Sequence, residues 1–212
     1  MYALAPKNKF TREEMVAAAV QVVRKNGAEG LTAKSVAEEL AISTQPIFTC
    51  FATMEALRAD VLASAEKIYA DYCAKGLEEP VPFFGFGMRY IRFAKEEPQL
   101  YRLVFLSDES NALNSEGNAI KEMRRSQKTL RPLIMDIYKL TEAEADLLFH
   151  SLWLVVHSIA TLYVTGGCSY TENKIGKILT RFCLSTCKSI KEIKGFTDGS
   201  FDRDVEFKKL IK

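Results

Sequence analysis

Residues 147–164 read LLFHSLWLVVHSIATLYV, eighteen positions without a lysine, arginine, aspartate or glutamate. A run of that length has two physical outcomes: a helix that spans a bilayer, or a central helix that a protein core must cover. His150, Ser151, His157, Ser158 and Thr161 interrupt the run, and no basic cluster flanks it, so hydropathy and the distribution of charge favour the buried helix. A helix apolar on nearly all sides is hard to cover within 212 residues, so the run also calls for a second chain.

The rest of the chain is ordinary for a globular protein. Hydrophobic residues make up 48% and charged residues 26%, which argues against disorder or a fibrous repeat. The net charge of +2 gives no whole-molecule attraction to nucleic acid or membrane, and leaves only a local basic patch for that purpose. Five cysteines form an odd set without zinc spacing, and the start MYALAPKNKF lacks an apolar signal region. These features point to reduced thiols in a cytoplasmic protein.

Breakers cut the chain into helix-sized pieces, and strand alternation is rare. Thr11-Arg12-Glu13-Glu14 is a capping box, followed by Met15, Ala18, Ala19, Val22 and Val23 at helical spacing and a stop at Asn26-Gly27. A second, short helix starts after Thr32 with Val36, Ala37 and Leu40 on one side. Ala41-Ile42 breaks it, and Ser43 is the expected cap of a third helix with Pro46 in its first turn. Ile47 and Phe51 face inward there. Thr53 caps a fourth helix that ends near Gly76. Further helices are expected over 83–95, 98–106 and 119–138, the last kinked or broken at Pro132. Residues 107–118 read as a loop. A second capping box at Thr141–Glu144 opens the uncharged helix, Gly166-Gly167 stops it, and Thr171 caps a last helix to about Lys194. The tail beyond Gly195 reads as loosely ordered. The expected fold class is all-α.

Two short helices joined by a tight break, between two long ones, fit helix-turn-helix geometry. The outward residues suit a groove reader: Ser43 and Thr44 can bond phosphate oxygens, and Gln45 can pair with adenine N6 and N7. The residues themselves go further. Ser35-Val36-Ala37-Glu38-Glu39-Leu40-Ala41-Ile42-Ser43, then Ile47-Phe48-Thr49-Cys50-Phe51, then Met54-Glu55-Ala56-Leu57, resemble the DNA-binding domain of the tetracycline-repressor (TetR) family. The upstream Ala17-Ala18-Ala19 run and Gly27 fit the same pattern. A looser similarity continues from Tyr90 to Phe105 and around Trp153 to His157, in the manner of that family's ligand-binding domain.

The resemblance implies an N-terminal three-helix DNA-binding domain over 1–54 and a helical effector-binding and dimerisation domain over 55–212. It implies DNA contacts from Thr32, Ala33, Lys34, Ser43, Thr44, Gln45, Pro46, Phe48 and Thr49. It also implies a homodimer on a palindromic DNA operator, released by a small-molecule effector. Two departures stand out. Met54 replaces a common lysine and Phe48 a common tyrosine, so two phosphate contacts are lost. Residues 1–58 carry seven basic residues (Lys7, Lys9, Arg12, Arg24, Lys25, Lys34 and Arg58) against six acidic ones. Lys7, Lys9 and Arg12 form either an arm that tracks phosphates or a merely solvated terminus.

No phosphate loop, nucleophile elbow or paired carboxylate marks an enzyme, and no cofactor is expected. Cys183 and Cys187 share a helix face, and His150 and His157 lie about two turns apart, but neither pair offers a full ligand set, so no metal site is expected. Cys50, in the third helix, reads either as a redox switch or, lacking an obvious basic neighbour, as the more usual inert thiol. The aromatic residues of the second half either fill a core or line an apolar effector cavity. For the cavity the candidates are Phe86, Tyr90, Phe93, Tyr101, Phe105, Trp153 and His157. The resulting expectation is a ligand-responsive transcriptional repressor, with a cytosolic helical ligand carrier or scaffold as the alternative.

Overall fold

A computed structural model describes residues 10–106 and 117–211. The predicted basic arm at Lys7 and Lys9, and most of the predicted loop over 107–118, lie outside the described residues. Within them the chain is helical and forms no strand: α1 (Arg12–Asn26), α2 (Ala33–Leu40), α3 (Gln45–Cys50), α4 (Met54–Leu77), α5 (Pro82–Glu96), α6 (Pro98–Tyr101), α7 (Asn118–Tyr138), α8 (Glu142–Val164), α9 (Glu172–Glu192) and α10 (Arg203–Leu210). The fold is all-α, as expected.

Most helix ends follow local chemistry. Thr11 with Glu14 and Thr141 with Glu144 form reciprocal capping boxes at α1 and α8. A third box, Thr32 with Ser35, opens α2. Three ends differ from expectation. α3 begins at Gln45 after Thr44, without a side-chain cap, two residues later than a cap at Ser43 would set it, after the left-handed turn at Ala41. α7 runs through Pro132 as one helix, although proline there removes a backbone hydrogen bond, and Arg131 beside it bonds Asp146 of α8 (2.7 and 2.8 Å). The tail forms α10, because Asp202 accepts from the backbone N–H groups of Asp204 and Val205.

The chain divides into two compact units. One comprises the described residues up to Tyr72 together with those from Phe93 to Ala119; the other comprises Cys73–Arg92 and the described residues from Ile120 onward. In the first unit, Met15, Ala19, Val23, Val36, Ile47, Leu57 and Val61 are fully buried. Tyr69 meets Phe93 and Phe105 edge-on, with centroids 5.5 and 5.2 Å apart, and Tyr101 lies 4.9 Å from Phe105. Arg24 of α1 donates a two-pronged pair to Glu97 (2.8 and 2.6 Å), which fixes the start of α6 on α1.

In the second unit, α8 packs on α9, and Leu148, Leu152, Val156, Ile175 and Leu179 of these two helices are buried. The last turn of α4 meets the first turn of α5 backbone to backbone at Gly76 and Gly85, where an added Cβ would lie 2.5 and 2.2 Å from the facing carbonyl oxygen. By length and composition α8 alone among the described helices could cross a membrane, yet it interrupts its apolar surface with His150 and Ser158.

Candidate functional site

The helix-turn-helix is assembled from short-range chemistry plus two anchors. Ile42 N–H bonds to Ala37 O (2.9 Å) and Ala41 N–H to Glu38 O (3.1 Å), closing α2 around the left-handed Ala41 (φ 53°). Ile47 and Phe51 then bury one face of α3 almost completely. The opposite face is open: Ser43, Thr44, Gln45, Phe48 and Thr49 are exposed, and Pro46 is half-buried. Phe48 exposes 53% of its surface, an apolar ring left half open to solvent by the described residues. At the start of α2, Thr32 and Lys34 are exposed and Ala33 is half-buried. The Thr32 hydroxyl is engaged by its cap, and Lys34 faces Glu38 at 3.9 Å.

Arg12 is not a free arm residue. Its Nε bonds to Asp60 (2.7 Å), its Nη1 to the Cys50 carbonyl (3.1 Å), and its guanidinium lies 4.3 Å from the Phe51 ring centre. It therefore pins the C-terminal end of α3 to α1 and α4. Arg24 and Lys25 are likewise engaged, by Glu97 and Glu39. Neutral polar groups, not spare cations, dominate the open face.

The second unit contains a cavity of about 330 Å³. α5 supplies Phe83, Phe84, Phe86 and Gly87; α8 supplies Phe149, Leu152, Trp153 and Val156; α9 supplies Leu179, Thr180, Cys183 and Leu184; Val81 and Tyr138 complete the wall. Gly87 keeps the wall open, since a Cβ there would lie 3.1 Å from Val156. Among the described residues, no charged side chain lines it.

Of the residues expected around an effector, Phe86 and Trp153 line this cavity. Tyr90 and His157 stand behind the wall: the Tyr90 hydroxyl and His157 Nδ1 hydrogen-bond at 2.8 Å, and the His157 ring stacks on Trp153 at 4.7 Å. Burial holds His157 below its ordinary pKa and so favours the neutral ring. Phe93, Tyr101 and Phe105 pack in the first unit around Tyr69, and burying each aromatic ring is worth about 1.5–3 kcal/mol of core stability.

Sequence reasoning missed Phe83, Phe84, Phe149, Leu179 and Cys183 as cavity residues. Phe83 and Phe149 were visible as aromatics, but their helical phase alone does not separate wall from core. Cys183 Sγ lies 3.7 Å from the Tyr138 hydroxyl, and burial pushes the Cys187 thiol up to about 11. The raised value keeps the Cys187 thiol protonated.

Residues 83–182 match the family model described as Tetracyclin repressor-like, C-terminal domain. Among solved structures, the chain is similar to a TetR-like transcriptional regulator from Rhodococcus sp. RHA1. The identity is 14%, the TM-score is 0.58, and the match covers 85% of this chain and 97% of that one. No curated protein matches the sequence. Most of the cavity wall falls inside the matched segment, with Val81, Cys183 and the exposed Leu184 just beyond its ends.

Proposed function

The chain belongs to the tetracycline-repressor family of transcriptional regulators, and from that premise we propose a ligand-responsive repressor that acts as a cytoplasmic homodimer. The observation that carries the reading is the open face of α3. Ser43, Thr44, Gln45, Phe48 and Thr49 are exposed together on a short helix whose other face Ile47 and Phe51 bury. A helix presented this way suits insertion in the major groove, with residues up to about 54 serving DNA and the remainder serving effector and partner. Gln45 reads adenine, Phe48 touches a thymine methyl, and Ser43, Thr44 and Thr32 hold phosphates, with Ala33, Lys34, Pro46 and Thr49 alongside.

The dimer forms through α8 and α9, whose exposed Leu154, Leu162, Phe182 and Leu184 would otherwise face water. An apolar effector of modest size occupies the cavity. α5 is one helix whose first turns line that cavity and whose end belongs to the DNA-binding unit, so it conveys occupancy to the recognition helices. Bound effector disfavours the half-site spacing of about 34–36 Å, and operator affinity falls.

The near-neutral charge of residues 1–58 favours one second reading, a ligand carrier that does not read DNA. A mobility-shift assay on the chain's own upstream DNA separates the two. Replacing Gln45 with alanine is expected to cost about 1–3 kcal/mol at the matched base pair and to relax preference there. Ser43→Ala and Thr44→Ala are expected to weaken binding evenly across sequences. An unchanged operator preference in Gln45→Ala would remove Gln45 from the readout.

A further inference from the structure

A second hollow, a groove of about 420 Å³, lies between α5 and α9. Phe84 and Thr180 belong to its wall and to that of the apolar cavity, so the two spaces adjoin at these side chains. The partition is slight. Thr180 is small and exposed, and Phe84 is half-buried. Phe84 Cζ lies against Gly176 of the groove, where even an added Cβ would stay 3.5 Å away. The chemistry of the groove is the opposite of the cavity's. Lys177, Thr180 and Arg181 stand at i, i+3 and i+4 and so share one face of α9. Both cations are exposed, and among the described residues neither has an ion-pair partner. The one carboxylate among the described groove residues, Glu172, is engaged by Arg92, which bonds both of its oxygens at 3.1 Å. Asn173 adds an amide. Two free positive charges therefore stand beside the threshold of a space that no charged side chain lines.

We propose that the effector is a straight-chain carboxylate: its apolar chain fills the cavity, and its head group passes Phe84 and Thr180 to rest in the groove on Lys177 and Arg181. The inference rests on the reading of this cavity as the effector site and names the class of ligand. A carboxylate drawn fully into the cavity would lose its hydration and meet no cation among the lining residues. Placed in the groove, the same group keeps part of its water and gains two positive partners, one of them an arginine that can bond both oxygens. A cationic head group meets repulsion there, since Arg92 already balances Glu172. A flexible chain suits a threshold set by two side chains better than a fused ring system does. The cavity volume of about 330 Å³ is at the small end for ligand pockets and calls for a chain of moderate length. Exposed charge pairs are individually weak, so the groove adds selection and a salt-dependent increment of affinity, while burial of the chain supplies most of the binding.

Three compounds with one chain test the selection: decanoate (anion), decanol (neutral) and decylammonium (cation). Calorimetric titration of the full-length protein, with each compound below its micelle concentration, is expected to show decanoate binding about five- to tenfold tighter than decanol, and decylammonium weakest. Raising the salt from about 0.05 M to about 0.5 M is expected to remove most of the decanoate advantage and leave decanol unaffected. In the Lys177→Ala, Arg181→Ala double variant, decanoate is expected to fall to the level of decanol, whose unchanged affinity shows that the cavity is intact. Lys177→Glu with Arg181→Glu is expected to turn the preference to decylammonium. The chain's one tryptophan, Trp153, lines the cavity, so its emission is expected to change with all three compounds. Decanoate no tighter than decanol, an advantage that survives high salt or the double variant, or preferred binding of decylammonium by the unaltered protein each overturn the head-group assignment and leave the cavity as a ligand site. Failure of all three compounds to bind, or binding that leaves Trp153 emission unmoved, overturns the effector-site reading itself, and this inference with it.

Discussion

Gly85→Ala is expected to destabilise the protein, against the usual benefit of alanine in a helix. A Cβ on Gly85 would sit 2.2 Å from the carbonyl oxygen of Gly76 and 3.0 Å from its carbonyl carbon, where ordinary contact begins at 3.4 Å. The obstacle is backbone, so no side-chain rotation relieves it, and the ends of α4 and α5 must part by about 1 Å. Overpacking of that kind costs about 1–3 kcal/mol. The gain in helix propensity returns about 0.5–1 kcal/mol, which leaves a net loss of roughly 1–2 kcal/mol. Gly176→Ala is the control. Its Cβ would meet only Phe84 Cζ at 3.5 Å, so the propensity gain of about 0.5–1 kcal/mol stands nearly alone. Urea denaturation with m-values compared across the variants measures both effects. Gly85→Ala is also expected to weaken ligand binding more than Gly176→Ala, because Phe83, Phe84, Phe86 and Gly87 move with the displaced turn. A Gly85→Ala protein as stable as the unaltered chain, or a Gly176→Ala protein destabilised by a similar amount, would refute the steric argument.

Two further outcomes follow from the ion pair and the buried histidine. Glu97→Ala leaves the Arg24 guanidinium without its carboxylate; the side chains are 31% and 14% exposed. A loss of about 2 kcal/mol is expected for a partly buried, two-pronged charged pair, with Glu97→Gln intermediate, and no change in either denaturation midpoint would show the pair to be idle. His157 is held below the ordinary 6.5 by burial, so its contribution to stability is present above 6.5 and is lost as the pH falls through the lower folded-state value. Stability measured at about pH 7.5 and about pH 5 is therefore expected to fall further in the unaltered protein than in His157→Gln, and an equal fall in both would assign the acid sensitivity elsewhere.

What the amino-acid order alone determined was what neighbours within four or five residues can settle. Caps at Thr11 and Thr141, the turn at Ala41-Ile42, and the inward anchors Ile47 and Phe51 all come from local donors, acceptors and spacing. For that reason the helices and the open face of α3 were legible before any coordinates. The cavity was legible only in part, and α5 shows why. Phe86, Tyr90 and Phe93 follow one another at helical spacing, and periodicity assigns all three to one apolar stripe. Periodicity says nothing of which body each turn meets. In the folded chain Phe86 lines the cavity, Tyr90 bonds His157 behind it, and Phe93 packs on Tyr69 in the other unit. Arg12 shows the same limit, since its partners Cys50 and Asp60 lie 38 and 48 residues away. The Nε1–H of Trp153, buried without a hydrogen-bond partner among the described residues, and the contact of Gly76 with Gly85 belong to tertiary structure alone. A hydrogen bond that is absent, or a space too small for a Cβ, depends on every element that converges on the spot, and no single stretch of the chain carries that information.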